Sequence, residues 1–398
     1  MNKGFNSICV KDILIEEHHA HVTPIYATST FTYADLDAAF AYFRGESKQH
    51  TYARMSNPTT DAVAEKIALL EGYDDENPIK TYGLLFGSGM AAIATAILTC
   101  VKSGDTVVTQ ANLYGTTNEF LTKKLNDYQV NTIYADLNDV DVLDNLLQNN
   151  SSIKLVYIET PANPTLACYN IKELTAIAKQ HNAFVIVDNT FATPYLQRPL
   201  FDAVDIVVHS STKFLNGHGT GLSGVLVCKD KEIYQKAHGI LKTFGGIISP
   251  FEAYLLNNGV KTLPLRMEQH MKNAIILANF LNNHAKVKKV NYLGLTSHQD
   301  HHWILQQMKG YGGMLSFEID TDIDGCIRFL KQIKFCTNTG SLGTADTLIT
   351  HPCSTSHSNV PEAQRLAVGI TPSLVRVSVG LENIEDVITD INQALAVV

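Results

Sequence analysis

Short apolar runs punctuate the middle of the chain. They stand at residues 84–86, 107–108, 132–134, 155–158, 184–187, 206–208 and 225–227. Stretches of helical periodicity lie between them, at 91–101, 140–147 and 171–181. Runs that are apolar at every position suit strands buried on both faces, and strands alternating with helices pair in parallel. The pattern predicts an α/β fold with a mainly parallel sheet covered by helices on both faces. The first clear helix opens at Asn57-Pro58, a capping residue followed by proline at the first helical position. Val63, Ile67 and Leu70 share one of its faces, and Gly72 ends it.

The rhythm changes at both ends. Residues 1–60 show little periodicity but many aromatic and β-branched residues. They read as an extended arm without a core of its own, so it must pack on something, and a neighbouring subunit is the natural candidate. Beyond residue 258 a long helix is predicted over 265–281, a strand over 314–319, a helix over 325–332, a strand over 374–379 and a last helix over 384–396. These elements describe a smaller C-terminal α+β domain. The expected division is an arm (1–60), a large cofactor-binding domain (61–257) and a C-terminal domain (258–398). A length of 398 residues also exceeds what one core usually accommodates.

Composition narrows the function. A net charge of −8 disfavours a nucleic-acid backbone as partner. The longest apolar stretch, residues 90–101, is broken by Thr95 and Thr99 and falls short of the ~20 residues that cross a bilayer. The opening Met1-Asn-Lys-Gly-Phe lacks the apolar core of a signal peptide. Seven cysteines without a Cys-x-x-Cys pair argue against a disulfide framework and a structural zinc site. A reducing cytoplasm fits best. The histidine groups His18, His19, His21 and His298, His301, His302 lack the acid and cysteine companions of a metal site, so no metal is expected.

The candidate chemistry gathers after strand ends, where open α/β sheets bind ligands. The apolar run 206–208 leads into His209-Ser210-Ser-Thr212-Lys213. Ser210 and Thr212 can bind a phosphate, and Lys213 can bond covalently to an aldehyde. Gly217, Gly219, Gly221 and Gly224 follow, and such a run permits close backbone approach to a ligand. The run 184–187 ends in Asp188, a suitable partner for a pyridinium nitrogen. Together these residues suggest pyridoxal phosphate (PLP) attached at Lys213. The alternatives are a solvated lysine and a buried acid that caps a turn. Gly87-Ser88-Gly89-Met90 follows a strand and opens a helix, an anion-binding arrangement. It is neither a hydrolase elbow nor a phosphate loop of the Gly-x-x-x-x-Gly-Lys type. Tyr52 and Arg54 would share one face if extended, and a phenol beside a guanidinium suits a phosphate. Arg376 lies inside an apolar strand and needs a partner, either a substrate carboxylate or a structural salt bridge.

These residues resemble the Cys/Met-metabolism PLP enzymes, a family of cystathionine synthases and lyases, methionine γ-lyases and homoserine sulfhydrylases. The motifs that carry the resemblance include Tyr52-Ala-Arg54-Met-Ser-Asn57-Pro58, Gly87-Ser-Gly-Met90, Tyr114-Gly-Thr116, Glu159-Thr-Pro-Ala-Asn163-Pro, His209-Ser-Ser-Thr-Lys213, Ser341-Leu-Gly343 and Arg376-Val-Ser-Val-Gly380. They run in family order over nearly the whole chain. The resemblance implies the aspartate-aminotransferase-like fold of PLP enzymes (fold type I), with a seven-stranded, mainly parallel sheet in the large domain. It implies a homotetramer built as a dimer of dimers, in which Tyr52 and Arg54 reach the cofactor phosphate of the neighbouring subunit. Ser88, Gly89, Met90, Ser210 and Thr212 would complete the phosphate cradle. Tyr114 would stack on the ring, Asp188 would pair with its nitrogen, and Asn163 would lie near its 3-oxygen. Lys213 and Tyr114 would be catalytic, and Arg376 and Ser341 would hold the carboxylate of a small amino-acid substrate.

Within the family the wording is most similar to the methionine γ-lyases, including Lys242 in its Leu-Lys-Thr segment. Gly340 stands where the cystathionine enzymes commonly carry a glutamate. Thr116 stands where methionine γ-lyases usually carry a cysteine. Thr116, Gly340 and Lys242 are therefore the candidate specificity residues near the substrate. The implied reaction is α,γ-elimination on methionine or a related sulfur amino acid, giving 2-oxobutanoate, ammonia and a thiol. Open alternatives are γ-replacement on an O-acetyl- or O-succinylhomoserine, and cystathionine cleavage or synthesis. A PLP-binding protein without catalysis would need a broken position among Lys213, Tyr114, Asp188 and Arg376, and none is broken.

Overall fold

The structure, a computed structural model, describes residues 3–13, 19–47 and 49–398. The arm departs from the extended expectation. It contains two short helices, α1 (Phe5–Val10) and α2 (Leu36–Phe43). α1 forms because the body of the protein offers it partners: Phe5 meets the rings of Tyr73 and Tyr195, and Cys9 joins the main core. Asp35 starts α2 by accepting the Ala38 N–H at 2.8 Å. α2 buries none of its residues, and Phe43 is 75% exposed.

Helix α3 (Pro58–Glu71) begins as the sequence predicts. The Asn57 side chain accepts the Thr59 N–H at 2.9 Å, and Pro58 occupies the first turn. Asp12, just after α1, ties the arm to this helix. Its carboxylate accepts from Lys66 at 2.9 Å, from Asn257 at 2.9 Å and from Lys261 at 3.0 Å. The Lys66 side chain is 1% exposed, so it depends on these oxygen partners.

The large sheet has seven strands: β1 (Tyr82–Phe86), β2 (Thr106–Thr109), β3 (Asn131–Tyr134), β4 (Ile153–Glu159), β5 (Phe184–Asp188), β6 (Ile206–His209) and β7 (Gly224–Cys228). Their order is β1-β7-β6-β5-β4-β2-β3. Only β7 opposes its neighbours, pairing antiparallel with β1 and β6. Strands β1 to β6 thus point one way, and their C-terminal ends share a rim. The unbroken apolar runs follow from burial on both faces. Val185, Val187 and Val207 belong to one core cluster, and Ile186, Ile206 and Val208 to the other. After β1, helix α4 (Gly89–Cys100) starts at Ser88, whose hydroxyl accepts the Ala91 N–H at 3.1 Å.

Helices Lys231–Phe244 and Pro250–Lys261 lead toward the C-terminal part. Neither was apparent from the apolar pattern. The first is nonetheless amphipathic: Ala237 and Leu241 are buried, and Ile233 and Tyr234 pack partly buried beside them on the same face. The long helix Leu263–Asn282 contributes Met267 to the large core and Leu277 to a separate smaller core. That smaller core lies against a five-stranded sheet of β8 (Val287–Asn291), β9 (Met314–Ile319), β10 (Thr337–Asn338), β11 (Leu348–Thr350) and β12 (Leu374–Ser378), in the order β10-β11-β12-β9-β8. Strand β8 escaped the sequence pattern because it is an edge strand with exposed Lys288 and Lys289. Among the described residues, no helix is long and apolar enough to cross a membrane.

Candidate active site

The shared rim carries the candidate residues. Strand β4 ends in Glu159, β5 in Asp188 and β6 in His209. Beyond β6 the chain turns tightly: the Lys213 N–H donates to Ser210 O at 3.1 Å, and Gly217 N–H to Lys213 O at 2.8 Å. Gly217 has φ +71°, and an added Cβ would fall 2.0 Å from Arg266 Nη1. Arg266 pins this turn by donating to Phe214 O at 2.7 Å and Gly259 O at 2.6 Å. The turn aims Lys213 into a cavity of about 210 Å³. Its Nζ donates to Ser341 Oγ at 3.2 Å. Burial, then the nearby Arg376 charge, lowers the lysine pKa to about 8.

Asp188 lies deeper in the cavity wall. It accepts the Thr190 N–H at 3.1 Å, the Thr190 hydroxyl at 2.5 Å and the Tyr157 hydroxyl at 3.3 Å. Burial raises its pKa against these hydrogen bonds. Among the described residues it forms no ion pair. Thr190 also accepts the Ser210 N–H at 2.8 Å, which joins the Asp188 loop to the lysine loop. Ser88 and Gly89, at the start of α4, face Ser210. An added Cβ on Gly89 would lie 2.6 Å from Ser210 Cβ, so only glycine lets the helix start approach.

Arg376 reaches the cavity from β12. Its Nη1 donates to Asn163 Oδ1 at 2.9 Å, and its Nη2 to Ser341 O at 2.8 Å. Its Nε is buried and has no hydrogen-bond partner among the described residues. Arg376 pairs with no acid among them, so the structural salt bridge open from sequence is not made. A buried guanidinium with a free N–H is suited to an incoming carboxylate.

The sequence model of the Cys/Met metabolism PLP-dependent enzymes matches residues 9–396. The chain belongs to this family. An L-methionine γ-lyase of Fusobacterium nucleatum subsp. nucleatum is 41% identical over 374 residues, 94% of this chain and 92% of that protein. A cystathionine β-lyase of Lactococcus lactis subsp. cremoris is 39% identical, covering 94% and 93% of the two chains. The solved cystathionine γ-synthase of Xanthomonas oryzae pv. oryzae, in complex with aminoacrylate and cysteine, superposes with a TM-score of 0.92 at 32% identity. It covers 100% of this chain and 99% of its own.

As a member of this family the protein uses pyridoxal phosphate, and the cavity's donor set fits that group. A buried carboxylate without a cation, Asp188, suits a protonated ring nitrogen. The start of α4 beside Ser210 suits a phosphate. Lys213, partly neutral near pH 8, suits the aldehyde.

The cavity brings together Ser88, Gly89, Met90, Tyr114, Asn163, Asp188, Ser210, Thr212, Lys213, Gly340 and Arg376. It does not include Tyr52, Arg54 or Lys242. The chain turns at Tyr52, where Met55 N–H donates to Tyr52 O at 2.7 Å, so Tyr52 and Arg54 do not form an extended pair. Arg54 instead folds over the Tyr52 ring and donates to the Lys242 carbonyl. Lys242 is exposed on helix Lys231–Phe244. Thr116 lines a smaller neighbouring cavity with Ser356 and Asn359. An added side chain at Gly340 would meet nothing within 4 Å. His18 lies outside the described residues, and among those described no cluster of His, Cys, Asp or Glu is placed to hold a metal. Sequence reasoning missed Glu159 and Thr190 in the wall and Ser356 at its edge. Glu159 stood inside a quoted motif at the end of an apolar run, a signal that marked its place but not its role.

Proposed function

We propose that the protein catalyses α,γ-elimination on methionine or a related sulfur amino acid, expelling a thiol, after which water hydrolyses the remaining enamine to ammonia and 2-oxobutanoate. The observation that carries this reading is Arg376, with its free Nε, in the same cavity as Lys213. An amino acid anchored there by its carboxylate presents its α-carbon near the lysine. The named activity of the Fusobacterium relative supports the same choice.

Pyridoxal phosphate, when bound, supplies an aldehyde and a conjugated ring that accepts electrons from bonds breaking next to the amino group. The protein's residues do the rest. Ser88, Gly89, Met90, Ser210 and Thr212 would hold the phosphate, and Asp188 would keep the proton on the ring nitrogen. Tyr114 would stack on the ring, and Asn163 would lie near the 3-oxygen. Arg376 and Ser341 orient the substrate carboxylate. Lys213 Nζ takes the proton at Cα and then moves a proton at Cβ. The Tyr114 hydroxyl hands a proton to the leaving sulfur. Gly340, without a side chain, leaves open space beside the Arg376 anchor, and with Thr116 and Lys242 it would help choose the substrate.

The reading includes a homotetramer built from two dimers, in which Tyr52 and Arg54 of one copy complete the cavity of another. The exposed Leu36, Phe40 and Phe43 of α2, with Phe244 and Phe251, support such an assembly. It also retains the division into 1–60, 61–257 and 258–398. A substrate panel tests the reaction. Methionine, homocysteine or cystathionine should yield 2-oxobutanoate, and no keto acid from any of them would exclude elimination. Homocysteine formed from O-acetylhomoserine and sulfide without keto acid would point to replacement.

A further inference from the structure

The cavity wall holds one acid that the proposed chemistry leaves unused. Glu159 ends β4 directly beside Asp188, its register partner on β5. Two bonds with Gln110 hold its backbone in place: Gln110 Nε2 donates to Glu159 O at 2.6 Å, and Glu159 N–H donates to Gln110 Oε1 at 3.3 Å. Its carboxylate is buried, yet it faces no cation within salt-bridge distance among the described residues. It accepts two backbone N–H groups instead. Oε2 takes the N–H of Tyr114 at 2.9 Å, and Oε1 takes the N–H of Asn163 at 2.9 Å.

These two residues sit on different loops. Tyr114 follows β2, and Asn163 follows β4. Asn163 Oδ1 in turn accepts Arg376 Nη1 at 2.9 Å. One side chain therefore stands at the node between the ring-stacking residue and the residue that braces the carboxylate anchor. On the far side of this loop, His357 Nε2 donates to Leu113 O at 3.2 Å, so the Tyr114 backbone is gripped from both directions. Only a carboxylate can accept both N–H groups in this geometry. Glutamine would offer one oxygen and turn an NH₂ toward the other donor. Burial, then the Asp188 charge, pushes the Glu159 pKa up to about 8, and the two backbone donors oppose that shift.

We propose that Glu159 is a positioning residue, fixing Tyr114 and Asn163 at a set separation across the cofactor cavity. Its effect on turnover rests on the lyase reading above, whereas its effect on the cofactor's surroundings does not.

Glu159→Gln in the PLP-loaded enzyme tests this by two readouts. The visible circular dichroism of bound PLP should fall by about twofold or more, because the stacked ring loses its fixed orientation. With methionine, kcat should fall about tenfold while KM shifts by less than about threefold, because Arg376 keeps its bonds to Ser341 and Gly340. A variant with native dichroism and native kcat would overturn the proposal. If Glu159→Gln does not fold, amide hydrogen exchange on the native enzyme decides. The Tyr114 and Asn163 amides should be strongly protected, and exchange of either at the rate of a free loop amide would overturn the proposal. Native enzyme that releases no keto acid would sink the lyase reading, and dichroism and exchange would still judge Glu159.

Discussion

Lys213 and Arg376 are two cations in one buried cavity, and their repulsion has a use. It adds to burial in lowering the lysine pKa to about 8, while Arg376 itself is lowered only to about 10 and stays charged. The sign follows directly: a depressed lysine pKa favours the neutral amine that attacks an aldehyde. Capture of PLP by the cofactor-free protein should therefore speed up from about pH 7 and level off above about pH 9. An ordinary lysine would keep accelerating past about pH 10, and stopped-flow absorbance distinguishes the two. Arg376→Lys should lower kcat/KM about 100-fold, because an ammonium cannot serve Asn163, Ser341 and a substrate carboxylate together. Steady-state kinetics with methionine would show it. The residues legible in the sequence were those beside an apolar run, such as Lys213, Asp188 and Arg376. Glu159 also follows an apolar run, but its role was not legible. Its partners are the N–H groups of Tyr114 and Asn163, on loops that only the folded chain brings near. Thr190, beside Asp188, was passed over because its link to the Ser210 N–H likewise appears only in the fold.

At the level of elements, the apolar runs were legible as strands because both faces of the large sheet are covered. Edge strand β8 was not, because its lysines Lys288 and Lys289 face solvent and break the apolar run. The short helices within the arm were not legible for a related reason. α1 draws its stability from Phe5 packing on Tyr73 and Tyr195, residues far away in sequence. The arm's second tie is ionic. Burial acts to raise the Asp12 pKa, but hydrogen bonds from Lys66, Asn257, the Thr23 N–H and Lys261 outweigh it and hold the carboxyl well below its usual range. Removing this carboxylate leaves the Lys66 ammonium buried without its charge partner. Asp12→Ala should destabilise the arm and α3 by about 3 kcal/mol, seen as a lower urea midpoint and faster proteolysis before residue 58. Unchanged proteolysis would mean the arm is held by its apolar contacts alone.

At the level of the whole molecule, Tyr52 and Arg54 stand outside their own chain's cavity, so the proposed assembly can be tested by complementation. Arg54→Ala and Lys213→Ala should each be inactive alone. When the two chains are co-assembled, about a quarter of native activity should return, because half of random dimers carry one intact site of two. No recovery would place Arg54 outside a shared site. The reversed strand β7 has a consequence for the order in which the site is made. The Ser88–Met90 cradle follows β1, whose ladder partner is β7, with Tyr82 opposite Cys228. During synthesis, the phosphate end of the site is therefore translated early but stays unpaired until β7 has left the ribosome. Arg376 arrives later still, near the end of the chain. A nascent chain therefore completes its cofactor cradle and lysine well before the carboxylate anchor Arg376 is made, and can hold cofactor and substrate together only when synthesis is almost complete.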